Sequence, residues 1–239
     1  MEARPPGLPL RSLVPNAITL GSLVAGLTAI RMGIEGEFAA AAVLILVAGV
    51  LDGLDGRVAR RIGGESAMGA ELDSLCDAIN FGVAPALILH LWAFGAEGGD
   101  GWVASLIYAA ACVLRLARFN IGARDPAPPK AEKSFTGVPS PAGALLVLLP
   151  LFLAQLSPAL AAPPLLVALW MIGVAALLVS RLETPAFRPV RVAPERARML
   201  LLLVAALAAL LIARPWLTLV LLDLAYLAVL ARAGWRAWR

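Results

Sequence analysis

The amino-acid sequence predicts an all-α, polytopic transmembrane helical bundle, and three observations predict it. Of the 239 residues, 61% are hydrophobic and 15% charged, against roughly 25% charged in a typical soluble domain. The mean hydropathy is +0.86. The apolar residues also gather into eight stretches near the length of a membrane crossing. A soluble fold of this size would lack the polar residues to coat its surface. In hydrocarbon, backbone groups must be hydrogen-bonded within the segment, so each crossing takes about 20 largely apolar residues as a helix.

Taken in order, the first stretch covers residues 15–34 and opens with VPNAITLGSLVAG (14–26), which places Pro15, Asn16 and Thr19 at its start. Pro5, Pro6 and Pro9 precede it, a pattern that argues against a cleaved signal peptide. The second (38–58) and third (74–94) stretches flank a turn carrying Gly63 and Gly64. The fourth (102–121) closes on LRLARFN (114–120), and the fifth (138–156) opens from FTGVPSPAGA (135–144). The sixth, seventh and eighth cover 163–180, 197–213 and 215–232. Loops are short, with no soluble domain and no internal repeat.

The formal net charge of +4 is distributed unevenly. With eight crossings, Arg4, Arg11, Arg57, Arg60, Arg61, Arg115, Arg118, Arg124, Lys130 and Lys133 all fall on one side. Arg181, Arg188, Arg191, Arg196, Arg198, Arg232, Arg236 and Arg239 join them, and only Arg31 and Arg214 fall opposite. By the positive-inside rule both termini are expected in the cytoplasm, with the chain in the cell membrane. Basic residues at helix ends exclude a chain built for nucleic acid. Cys76 and Cys112 lie in apolar segments and form no disulfide framework. The single histidine, His90, has apolar neighbours, so the usual zinc donors are nearly absent.

One region breaks the rules of a membrane helix. Residues 51–85 read LDGLDGRVARRIGGESAMGAELDSLCDAINFGVAP, with Asp52, Asp55, Asp73 and Asp77 where the second stretch ends and the third begins. One acidic residue at mid-membrane costs about 2.5–3.5 kcal/mol on the insertion scale, and four neighbours would repel as well. Asp52 and Asp55 are three apart and share a face of one helix; Gly69, Asp73 and Asp77 follow at four-residue steps along another. Two facing carboxylate pairs make an all-oxygen cage for hard divalent cations, Mg²⁺ or Mn²⁺. Two such ions recur in displacement at phosphorus. Gly53, Gly56, Ala59, Gly69 and Ala70 clear space for close helices or a flat ligand, and Arg60 offers a planar fork to phosphate. A proton or ion pathway would need acids spread across the bilayer, whereas these cluster at one end.

These residues resemble the signature of the CDP-alcohol phosphotransferase family, D-x2-D-G-x2-A-R-x8-G-x3-D-x3-D. Asp52, Asp55, Gly56, Ala59, Arg60, Gly69, Asp73 and Asp77 keep every spacing. The resemblance implies a six-helix catalytic core within residues 1–182, leaving 183–239 as a C-terminal helical hairpin of unassigned role. It implies that Asp52, Asp55 and Asp73 ligate the metals, with Asp77 sharing the second. Asp77 is also implied as the general base for the acceptor hydroxyl. Gly56, Ala59, Arg60 and Gly69, with Asn16 and Thr19, are the implied CDP-binding residues, and a homodimer is expected. No obvious nucleophile for a phosphatidyl-enzyme intermediate is present.

The signature does not name the acceptor alcohol. Together, 14–26, 114–120 and 135–144 resemble the integral-membrane branch of the family that uses CDP-diacylglycerol as donor and L-serine as acceptor, with similarity over about 12–180. Glycerol-3-phosphate and inositol or inositol phosphate are the alternative acceptors, and a non-catalytic lipid-binding or transport protein is the alternative class. Serine carries a carboxylate, so its pocket needs a cation. Arg118 and Asn120 at the end of the fourth stretch, and Lys133 in the following loop, are the expected acceptor-binding residues; Arg124 and Lys130 are assigned to topology alone.

Overall fold

The structure is a computed structural model that describes residues 10–96, 98–124, 135–180, 183–184 and 194–237. Among these, helices α1 (Leu10–Ile34), α2 (Phe38–Ile62), α3 (Ala67–Asp77), α4 (Ala84–Phe94), α5 (Gly99–Arg124), α6 (Ser140–Leu156), α7 (Pro164–Val179), α8 (Pro194–Ala213) and α9 (Pro215–Ala237) form the bundle. A π-helical turn, Ala78–Val83, joins α3 to α4. These three pieces together make one crossing, Ala67–Phe94. The eight expected apolar stretches are therefore present as five helices long and apolar enough to cross a membrane and three shorter apolar helices, Ser140–Leu156, Pro164–Val179 and Arg198–Ala213. One feature was not expected: a two-residue antiparallel ladder, β1 (Phe135–Thr136) with β2 (Glu183–Thr184), ties the segment before α6 to the segment after α7.

At 1.5 Å per residue the 17 residues of α6 reach about 25 Å, less than the ~30 Å hydrocarbon core, and α6 is sheltered by its neighbours. Leu146, Val147, Leu148, Leu151 and Phe152 are fully buried. By contrast α8 packs on α9 and presents Leu201 and Leu202 at about 70% exposure, an arrangement suited to an apolar surrounding.

Two prolines inside the bundle show how backbone groups are satisfied there. Pro150 in α6 has no N–H for the Leu146 carbonyl, and the Trp170 indole of α7 donates to it at 2.8 Å. Pro85 likewise has none for the Phe81 carbonyl, and the buried Tyr108 hydroxyl of α5 donates at 2.8 Å. The π-helical turn sits at this interruption. Its Asn80, fully buried, donates to Ser22 Oγ of α1 at 2.7 Å, and Ser22 donates to the Ala48 carbonyl of α2 at 3.1 Å. Gly26 makes the approach possible, because a Cβ there would lie 1.9 Å from Asn80 Oδ1. Three crossings are thus clamped together one turn below Asp77.

Candidate active site

The site is built at the end of α2 and the start of α3. Apolar residues carry α2 into the bundle, and Asp52 and Asp55 sit one turn apart in its second half. The helix stops at Gly63, whose φ of +62° is the left-handed conformation that glycine adopts without strain; the N–H of Gly64 returns to the Ala59 carbonyl at 3.0 Å. The next helix starts at once, because Ser66 is its N-cap and its hydroxyl accepts the Gly69 N–H at 3.0 Å. Such a cap is worth about 1 kcal/mol. It starts α3 seven residues before the apolar stretch that the sequence predicts, so Asp73 and Asp77 both lie on regular helix.

Asp52, Asp55 and Asp73 each offer an oxygen, and the three oxygens lie within 4.8 Å of one another. Asp52 is in hydrogen-bonding reach of both Asp73 and Asp77. Asp77 Oδ1 is buried without a hydrogen-bond partner among the described residues. Thr19 of α1 brings its hydroxyl to Asp55 Oδ2 at 2.5 Å, both residues being buried. Thr19 thus orients a carboxylate as well as lining the cleft beside it. Three converging hard oxygen donors, with the orphaned Asp77 Oδ1 as a further candidate, fit a divalent cation.

A cleft of about 230 Å³ opens beside these carboxylates, and Asn16, Thr19, Gly56, Ala59, Arg60 and Gly69 all line it, with Asp55 and Asp73 in its wall. The glycines differ in what they do. A Cβ on Gly69 would lie 2.9 Å from Asn16 Oδ1, so this glycine permits close approach of α1 and α3. A Cβ on Gly56 would meet only Arg60 Nη1, at 3.5 Å, and one on Gly53 would meet nothing within 4 Å. Gly56 therefore keeps the cleft open and does not serve helix packing.

The residues expected around the acceptor are dispersed. Arg118 Nη1 donates to the Val179 carbonyl at 3.0 Å and joins α5 to α7. Asn120 pairs with Ser74, next to Asp73, with Nδ2 at 2.9 Å from the hydroxyl. Lys133 lies outside the described residues. Arg115, on the same turn of α5 that the sequence marks as a source of cations for the acceptor, is the one whose charge acts on Asp77. Part-buried, it donates through Nε to the Val138 carbonyl and through Nη1 to Ser140 Oγ at 2.8 Å. The FTGVPSPAGA stretch thus holds Arg115 in place. At the far end of that crossing, His90 is buried between Phe94 and Trp102, with centroids at 5.7 and 5.4 Å.

Comparison with known proteins agrees with this geometry. Residues 12–180 match the family model described as CDP-alcohol phosphatidyltransferase, and residues 198–230 match one described as CDP-alcohol phosphatidyltransferase 2. The chain is 42% identical over 218 residues to the CDP-diacylglycerol–serine O-phosphatidyltransferase of Mycobacterium leprae, covering 90% of this chain and 72% of that protein. It is 33% identical over 176 residues to the protein of the same name from Bacillus subtilis, covering 73% of this chain and 91% of the relative. The one from Methanocaldococcus jannaschii is 37% identical over 134 residues, 56% of this chain and 58% of the relative.

Proposed function

The chain belongs to the CDP-alcohol phosphatidyltransferase family, and from that premise we propose that it transfers the phosphatidyl group of CDP-diacylglycerol to the hydroxyl of L-serine, releasing CMP. The observation that carries this reading is the convergence of Asp52, Asp55 and Asp73 from two crossings, with Asp77 in reach of Asp52, beside one cleft lined by the rest of the signature. Serine as the acceptor is supported by relatives that bear its name over 90% of the chain.

In this reading Asp52, Asp55 and Asp73 would hold two divalent ions, Mg²⁺ or Mn²⁺, with Asp77 sharing the second. When bound, such ions neutralise the pyrophosphate and the charge developing on the departing CMP. The side chains of Asn16 and Arg60 and the open space at Gly56, Ala59 and Gly69 receive the cytidine and its phosphates. Thr19 keeps Asp55 turned inward. Asp77 takes the serine hydroxyl proton as the oxygen bonds to phosphorus and the bond from phosphorus to CMP breaks. A carboxylate is too weak a base to remove that proton beforehand, so transfer accompanies attack. Arg115 is the cation we assign to the acceptor carboxylate, while Arg118 and Asn120 brace the helices around it. The arrangement suits a site at the cytoplasmic end of a cell-membrane protein with both termini inside and residues 1–182 as the catalytic unit. Lipid tails then stay in the bilayer while serine and CMP exchange with water. A homodimer is part of the same proposal.

CMP release by purified protein with CDP-diacylglycerol and Mn²⁺ is expected with serine and not with glycerol-3-phosphate, inositol or inositol phosphate. Release with another alcohol would keep the chemistry and replace the substrate. No release from folded protein would leave a lipid-binding or transport role. Gly56→Leu is expected to fold normally and raise the KM for CDP-diacylglycerol at least about tenfold, because a few buried methyl-sized groups fill the space that the donor needs. An unchanged donor KM in that variant would remove the cleft from donor binding.

A further inference from the structure

The last helix carries polar groups that lipid cannot explain. Asp223 of α9 is 4% exposed, and its Oδ2 has no hydrogen-bond partner among the described residues. Tyr226, three residues on and so on the same face, is half-buried, and its hydroxyl also lacks one. A buried hydroxyl without a partner is costly, and within a membrane bundle such groups mark functional positions by default. Helix α9 packs on α6. The two helices run antiparallel there, with Trp216 at the start of α9 stacked on Phe152 near the end of α6. Tyr226, further along α9, is thereby brought level with the first turn of α6, where Ser140 holds Arg115. Arg115 is within electrostatic reach of both Tyr226 and Asp77. Its Nε and Nη1 are engaged by Val138 and Ser140, which fixes the guanidinium against the first turn of α6.

We propose that Tyr226 and Arg115 form a two-donor clamp for the carboxylate of the amino-acid acceptor, so that α9 completes the active site. The inference rests on serine being the acceptor. The Tyr226 hydroxyl donates to one carboxylate oxygen and Arg115 Nη2 to the other, which leaves the substrate hydroxyl toward Asp77. The C-terminal hairpin, which matches a family model separately from the core, then contributes to substrate selection.

The test uses the full chain with saturating CDP-diacylglycerol and Mn²⁺, and compares L-serine with L-serinamide, which keeps the hydroxyl and the amine and lacks the carboxylate. Tyr226→Phe is expected to raise the KM for serine about tenfold. It should leave the KM for CDP-diacylglycerol and the kinetics with serinamide unchanged, so that the preference for serine over serinamide collapses. Leu219→Ala, which loosens packing on the same helix, should keep that preference. A serine KM within twofold of the parent, or an equal loss of preference in Leu219→Ala, overturns the clamp alone. A parent protein that releases CMP only with another alcohol overturns the serine assignment and the clamp together.

Discussion

Asp77→Asn is expected to lower kcat by about 10³-fold, within the range that positioned proton transfer contributes, while the protein stays folded and inserted. The amide has the shape of the carboxylate and cannot take a proton from the attacking hydroxyl. Asp77 also lies in hydrogen-bonding reach of Asp52 with one oxygen orphaned, so the substitution separates its two proposed duties. Single-turnover CMP release reports the chemical step, and Mn²⁺ titration of the same variant reports ion binding. Loss of turnover with ion affinity kept assigns Asp77 to proton transfer. Turnover near that of the parent would take it out of the base role, and recovery at high Mn²⁺ would make it a ligand only.

Exhaustive chelation is the second large effect expected: all activity should disappear and return on adding Mg²⁺ or Mn²⁺. Two unit charges at the 4.8 Å that bounds the Asp52, Asp55 and Asp73 oxygens repel by about 3.5 kcal/mol at an effective dielectric of ~20. Ions in the cage relieve that repulsion, so the chelated protein should also gain thermal stability as Mn²⁺ is added, by mass action on the folded state. Asp52→Asn should lose most of that gain, since Asp52 neighbours both Asp73 and Asp77. Activity that survives chelation, or a melting temperature indifferent to Mn²⁺ in the parent and in Asp52→Asn alike, would sink the two-ion proposal.

Much of this was legible in the chain because it depends on neighbours in sequence. Eight apolar stretches reappear as five helices long enough to cross a membrane and three shorter apolar ones, because hydrocarbon demands internally bonded backbone. Helical periodicity alone put Asp52 with Asp55 and Asp73 with Asp77 on shared faces, and the resemblance to a family singled out the residues that line the cleft. Asp52, Asp55 and Asp73 do converge.

What stayed hidden depends on which face of a helix meets which partner, and in a membrane that information is weak. Core and lipid are both apolar, so hydrophobicity does not mark the inward face as it does in water. Arg115 and Arg118 are three residues apart and equivalent by composition. Only the packing of α5 against α6 and α7 turns Arg115 toward Asp77 and gives Arg118 to the Val179 carbonyl. The π-helical turn after Asp77 needs Tyr108, 27 residues away, to satisfy the Phe81 carbonyl. Likewise the sequence gives no sign that Asp223 of α9 is buried, which follows from the packing of that helix in the bundle. The sequence by itself determined the crossings, the carboxylates and the chemistry they suit. Tertiary structure alone decided that Arg115 is held by Val138 and Ser140 while Arg118 joins α5 to α7, because those positions are set by contacts between helices distant along the chain.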